Sequence, residues 1–179
     1  MKRRTALATV GGGLYSVLSG CSAVDAVVGG CREGRERFDY DGTVHGNTWS
    51  GFKLSARPDR VSMGDEITFK LINIMDEPQE TGTSPQYLIE RHADGGWRSI
   101  YWVTDTPAYF LIDRTHALGE GFAWTFRATR SGFDPGDPPG PDTTPNYAVC
   151  TDITPGTYRF VYFGVEDAAM AVEFKILDS

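Results

Sequence analysis

Lysine, cysteine and histidine are all scarce in this chain, and no apolar run is long. Lysine occurs at positions 2, 53, 70 and 175 alone, and 17 basic residues face 24 acidic ones for a net charge of −7. Nucleic acids and anionic lipid surfaces attract basic patches, so neither is an expected partner. The three histidines, His45, His92 and His116, share no i, i+2 or i, i+4 spacing. Zinc sites draw on such pairs, so no metal is expected. Gly-x-Ser-x-Gly, paired catalytic spacings and a phosphate loop are absent as well. Neither an enzyme nor a bound cofactor is therefore expected. No segment shows a 3.6-residue apolar period.

What is there begins at the N-terminus. Lys2-Arg3-Arg4 precedes a weakly apolar stretch, Ala6 to Gly20, which ends in Leu18-Ser19-Gly20-Cys21. The stretch is shorter than the ~20 apolar residues of a spanning helix, and it contains Gly11-Gly12-Gly13, a poor helical triplet. Positive, apolar and small parts in that order resemble a lipoprotein signal peptide with its lipobox. The resemblance implies that residues 1–20 are removed and that the Cys21 thiol carries a diacylglyceryl anchor. The domain would then be tied by its N-terminus to the extracellular face of the membrane. Arg3 and Arg4 in so weakly apolar a leader resemble a twin-arginine export signal. Ala6 stands where that signal usually has a bulky apolar residue, and Leu7 follows.

Loss of Lys2, Arg3 and Arg4 with a leader lowers the net charge from −7 to −10. Little lysine beside much Asp and Glu resembles proteins of halophilic archaea. An ordinary acidic secreted domain has the same composition. With Cys21 assigned to lipid, Cys31 and Cys150 remain as a pair. Outside the cell a pair favours a disulfide, with two free thiols as the alternative. A bridge would leave Ser22 to Gly30 as tether, reaching at most ~30 Å.

Residues 21–48 read as lipidated cysteine, tether and irregular lead-in, and residues 49–179 as one β domain. Seven segments carry strand signals. Phe52-Leu54-Ala56, Ile67-Phe69-Leu71, Phe122-Trp124-Phe126, Tyr158-Phe160-Tyr162 and Met170-Val172-Phe174-Ile176 alternate with mostly polar or smaller residues. Tyr87 to Arg91 and Trp97 to Val103 flank a hairpin loop, Ala93-Asp94-Gly95-Gly96. Residues 131–146, with Pro135, Pro138, Pro139, Pro141 and Pro145, read as a long exposed loop. The expected fold is all-β, an antiparallel β-sandwich of about seven strands.

Three motifs carry a resemblance to the immunoglobulin-like domains of bacterial and archaeal surface lipoproteins. They are Glu66 to Asn73 with its acidic turn, Tyr87 to Arg91 with Gly96-Trp97, and Ile153-Thr154-Pro155-Gly156-Thr157-Tyr158-Arg159-Phe160. The resemblance implies an immunoglobulin-like sandwich with Pro155, Gly156 and Tyr158 forming a structural turn. Tyr158 resembles a tyrosine corner, although Phe160 occupies the place of the usual cysteine. That family brings no catalytic residues.

Tyr147-Ala148-Val149-Cys150 is similar to the approach to a blue-copper cysteine, but residues 151–164 supply neither the His nor the Met that such a site needs. Asp134, Asp137 and Asp142 could face calcium, yet they lack a Gly-centred ligand spacing and read as a solvated acidic loop. Trp97 and Trp102 stand out as a candidate patch for a carbohydrate or a surface protein, since both faces of their segment carry aromatics. The expectation is a non-enzymatic adhesion, scaffold or accessory binding module. The alternative is a small-ligand or metal-binding lipoprotein for solute capture or redox work. A concave pocket with an exposed Trp or a His cluster would favour the second.

Overall fold

Alternation of large apolar and polar side chains at period two decides the architecture. The computed structural model describes residues 34–105, 113–135, 147–166 and 168–178, and these contain strands and turns but no helix. In chain order the strands are β1 (Glu36–Arg37), β2 (Val44–His45), β3 (Thr48–Trp49), β4 (Phe52–Arg57), β5 (Arg60–Val61), β6 (Glu66–Asn73), β7 (Gln79–Thr81), β8 (Tyr87–Ala93), β9 (Gly96–Ser99), β10 (Tyr101–Val103), β11 (Arg114–His116), β12 (Ala123–Thr129), β13 (Gly132–Pro135), β14 (Ala148–Val149), β15 (Gly156–Val165) and β16 (Ala168–Ile176).

Two sheets face each other. One runs β13-β12-β6-β4-β3 and the other β2-β16-β15-β8-β9, with β5 also paired to β16. Ile67, Phe69, Leu71, Phe126 and Trp124 point inward from the first sheet. Tyr158, Phe160, Tyr162 and Phe174 answer from the second. Phe69 stacks on Phe160 with ring centroids 4.3 Å apart, and Trp124 lies 5.0 Å from Phe160. The all-β sandwich expected from the alternation is the fold.

All seven expected strand segments are strands, and the departures from expectation are local. The segment Trp97 to Val103 is two strands, broken at the buried Ile100. The Ile100 N–H donates to Ile89 O at 3.0 Å, and the Ser99 hydroxyl accepts from the Tyr101 N–H at 3.1 Å. These bonds turn the chain, so that β9 stays with β8 while β10 joins β1 and β14 in a separate three-stranded sheet. The start of the expected Pro-rich loop is strand β13, which seats Phe133 against Phe126 and Phe174. Pro135 is tolerated because β13 is an edge strand and Pro135 is its last residue. Residues 136–146 lie outside the described residues.

The lead-in is also more ordered than an irregular segment. Phe38 and Tyr40 pack on Phe163 with centroids 6.1 and 5.6 Å away. β2 pairs in parallel with β16. Residues 37–45 thus cover the outer face of the second sheet, where Leu88 and Val161 are fully buried. That sheet is covered on both faces at its centre.

A buried amide ends β6. Asn73 Nδ2 donates to Glu77 O and to His116 O, both at 2.9 Å, and its Oδ1 accepts from the Met75 N–H at 2.8 Å. One side chain thereby holds the 74–77 turn to the two-stranded β7–β11 ribbon. Asn73→Ala leaves these backbone groups without their partner, and the expected loss is ~2–4 kcal/mol in a denaturant titration. A loss under ~0.5 kcal/mol would show that the amide is not needed.

His116 accepts that bond through its backbone and makes a second with its ring. The Thr81 hydroxyl donates to Gly82 O at 2.9 Å, so at 2.9 Å from His116 Nε2 it accepts, and Nε2 carries the proton. Desolvation lowers the imidazole pKa below its ordinary 6.5, Glu120 works against the shift and Arg114 adds to it. The unfolded chain therefore takes up the proton first. Stability from this group is complete above about pH 6.5 and falls as acid carries the pH down through the lowered folded value. His116→Gln should remove that component from a plot of Tm against pH, and an unchanged acid-side slope would rule out His116 as its source.

Candidate functional site

Arg159 on β15 stands opposite Glu90 on β8, both on the outward face. The Arg159 Nε–H donates to the Glu90 carboxylate as a close ion pair. Glu90 is 4% exposed, because residues 37–45 close over it. Next along β8, His92 faces Trp97 on β9. The hairpin between them turns at Asp94 and Gly95, whose φ values of 51° and 78° are those of a type I′ turn. Glycine takes such angles freely and aspartate tolerates them. The turn points Trp97 back over the sheet, and the Arg159 guanidinium lies 4.6 Å from its ring centre. His92 meets the same indole edge-on at 5.1 Å.

The lead-in supplies the opposite wall. Arg37 on β1 faces Trp102 on β10, with its guanidinium 5.1 Å from that ring centre and its buried Nε without a hydrogen-bond partner. Asp39 Oδ1 accepts the Ser99 N–H at 3.1 Å, which ties the lead-in to β9. Between these walls is a concavity of about 570 Å³, lined among others by Arg37, Asp39, Tyr40, Trp97, Arg98 and Arg159. The arrangement offers one indole, several guanidinium donors and carboxylate acceptors around an open volume. Such a set recognises a ligand by stacking and hydrogen bonding.

Of the two tryptophans expected to form a patch, Trp97 lines this concavity. Trp102 sits beneath Arg37, which lines it too. Trp124 is core, with its Nε1–H donating to Ser84 O at 2.9 Å. Trp49 is 40% exposed and stacks on His45 with centroids 3.4 Å apart. The Tyr158 hydroxyl donates to Thr154 O at 2.7 Å and accepts from the Thr154 N–H at 3.3 Å, so the Pro155-Gly156 turn is closed by the ring that follows it. Cys150 is buried just after β14. Arg3, Arg4, Cys21, Cys31, Asp137 and Asp142 lie outside the described residues. Among those described, no three His, Cys, Asp or Glu side chains converge as metal ligands.

Arg37, Asp39, Glu90 and Arg159 were not legible as site residues. Nothing in a charged lead-in reports where it lands, and the Glu90–Arg159 pair depends on strand register. Removing Glu90 alone leaves a largely buried guanidinium uncompensated. Glu90→Ala should cost ~2–3 kcal/mol in thermal or chemical denaturation, the low side for a buried pair because Arg159 keeps some solvent contact. The double change Glu90→Leu with Arg159→Leu should recover most of that loss. A double variant less stable than Glu90→Ala would show that the pair itself stabilises the sheet.

No family model matches the chain, and no curated protein matches it. Among solved structures it is similar to a β-glucosidase from Listeria innocua in complex with gluconolactone, at 13% identity and a TM-score of 0.32, over 71% of this chain and 16% of that one. A mutant of that enzyme in complex with laminaribiose aligns at 14% identity and a TM-score of 0.32, again over 71% of this chain and 16% of that one. The chain spans 16% of the length of these structures, and the likeness is too loose to bear on its activity.

Proposed function

We propose that the chain is a lipid-anchored, non-enzymatic binding domain of the extracellular face of the membrane. It serves as an adhesion, scaffold or accessory module and engages its partner at the Trp97 concavity. The observation that carries the binding role is the open volume of about 570 Å³ with Trp97, Arg37 and Arg159 in its walls. The anchor rests on Leu18-Ser19-Gly20-Cys21 behind a basic, weakly apolar leader. The concave shape, with a part-exposed indole in it, favours the second reading, a surface lipoprotein that captures a small ligand, over contact with a flat protein face.

A Cys31–Cys150 bridge belongs to the same reading. β1 and β14 flank β10 on its two sides, so their backbones are ~10 Å apart. Cys31 lies five residues before Glu36, a reach of up to ~17 Å. Such a bridge would pin the base of the tether beside the sheet that carries Arg37.

Fractionation of the producing cells tests the anchor. The native chain is expected in the membrane fraction, open to protease added outside. Its mass should correspond to a start at Cys21 plus diacylglycerol, and should rise by about two units on reduction. Cys21→Ser should release it from the membrane. Retention of the Cys21→Ser chain with an intact leader would sink the anchored reading.

A further inference from the structure

We infer that the concavity between the lead-in and the β8–β9 hairpin takes an uncharged, polyhydroxylated ring, the sugar unit of a neutral glycan. This deepens the proposed function and rests on its assignment of the Trp97 face as the binding surface.

The balance of polar groups carries the inference. Glu90 and Arg159 are committed to each other. Arg37, Asp39 and Asp94 also line the concavity, and none of the three forms an ion pair among the described residues. The wall therefore offers guanidinium donors and carboxylate acceptors together. A sugar hydroxyl donates and accepts at once, so it uses both kinds of group. An anionic ligand would meet Asp39 and Asp94 as like charges, in the field of a chain whose net charge is −7. A cationic ligand would meet Arg37 in the same way.

The indole completes the match. Trp97 is part-exposed in the wall, with Arg159 over its ring and His92 at its edge. A sugar ring has an apolar C–H face and a polar rim. It suits an aromatic surface bordered by donors and acceptors. The volume of about 570 Å³ falls within the ~300–1,000 Å³ of small-ligand sites, enough for more than one ring.

The test is isothermal titration of the full lipidated protein, solubilised from membranes. The probes are maltotriose, cellotriose, mannotriose and galactobiose, with glucuronic acid, arginine and glutamate as charged comparisons, in 0.15 M and 2 M KCl. At least one neutral saccharide should bind saturably, with a Kd that changes less than about threefold between the two salts, because screening acts on charge. Trp97→Ala should weaken it about tenfold or more. Asp94→Asn lies in an exposed hairpin turn where folding is not at stake, and it should weaken binding about threefold.

The inference is overturned if no neutral saccharide binds, or if binding ignores both substitutions. Trp97-dependent binding of glucuronic acid or an amino acid, with affinity that collapses in 2 M KCl, overturns the neutral-sugar class and leaves the binding surface standing. Loss of the membrane anchor reading would show in the Cys21→Ser fractionation instead, whatever the sugars do.

Discussion

The contact between Phe69 and Phe160 is the one on which the rest of the structure depends. It joins the centre of one sheet to the centre of the other, and further rings lock around it. Phe174 meets Phe69 at 5.2 Å, Tyr87 stacks on Phe160 at 5.3 Å, and Trp124 bridges Phe160 and Tyr162. Each large ring buried here contributes on the order of 2–3 kcal/mol through area alone, with edge and stacking terms beyond that. The polar ends stay paired. Trp124 and Tyr162 donate to backbone carbonyls at Ser84 and Gly82, so the aromatic layer also holds residues 82–84 in place.

That layer explains why the candidate site sits outside it. The inner faces are filled, so a ligand can only be met on an outer surface. The second sheet needs a cover because Leu88 and Val161 are apolar on its outward side. The lead-in supplies it with Phe38 and Tyr40. The cover ends at the hairpin, and its rim leaves the space between Arg37, Asp39 and Trp97. The Glu90–Arg159 pair lies where cover and sheet meet, half committed to packing and half to the surface. Its register is fixed by β8–β15 pairing, and this sets where the guanidinium stands under the indole.

Much of the fold is legible in the residues, because a two-residue period leaves little freedom in how Ile67-Phe69-Leu71 or Trp124-Phe126 can face. The Asp94-Gly95 hairpin is legible for a local reason, since few residue pairs adopt its backbone angles. Three features were not. The break at Ile100 depends on the local Ser99 hydroxyl and on a carbonyl from another strand, that of Ile89. Strand β13 hides behind a proline count, although Phe133 is the apolar residue that seats it. In the lead-in, Phe38, Tyr40 and Val44 stand at period two, but acidic residues and glycine surround them, and the segment pairs along only two short stretches. Of the site, Trp97 was visible as an aromatic beside a turn. Its charged neighbours come together only through long-range pairing.

Strand β16 ends the second sheet on one side, and the chain treats it unevenly. β2 takes up its first residues in parallel and β5 its last, at Lys175 and Ile176. Only the middle of the strand keeps open backbone groups, and Glu173 and Lys175 stand exposed along or next to that gap. An uninterrupted edge would be a template on which another copy could add its own strand, and so begin a fibre. With two short pieces of its own chain in the way and charges over the remainder, this edge has no run long enough to nucleate one. The two small parallel pairs act as insulation between this edge and any neighbouring copy.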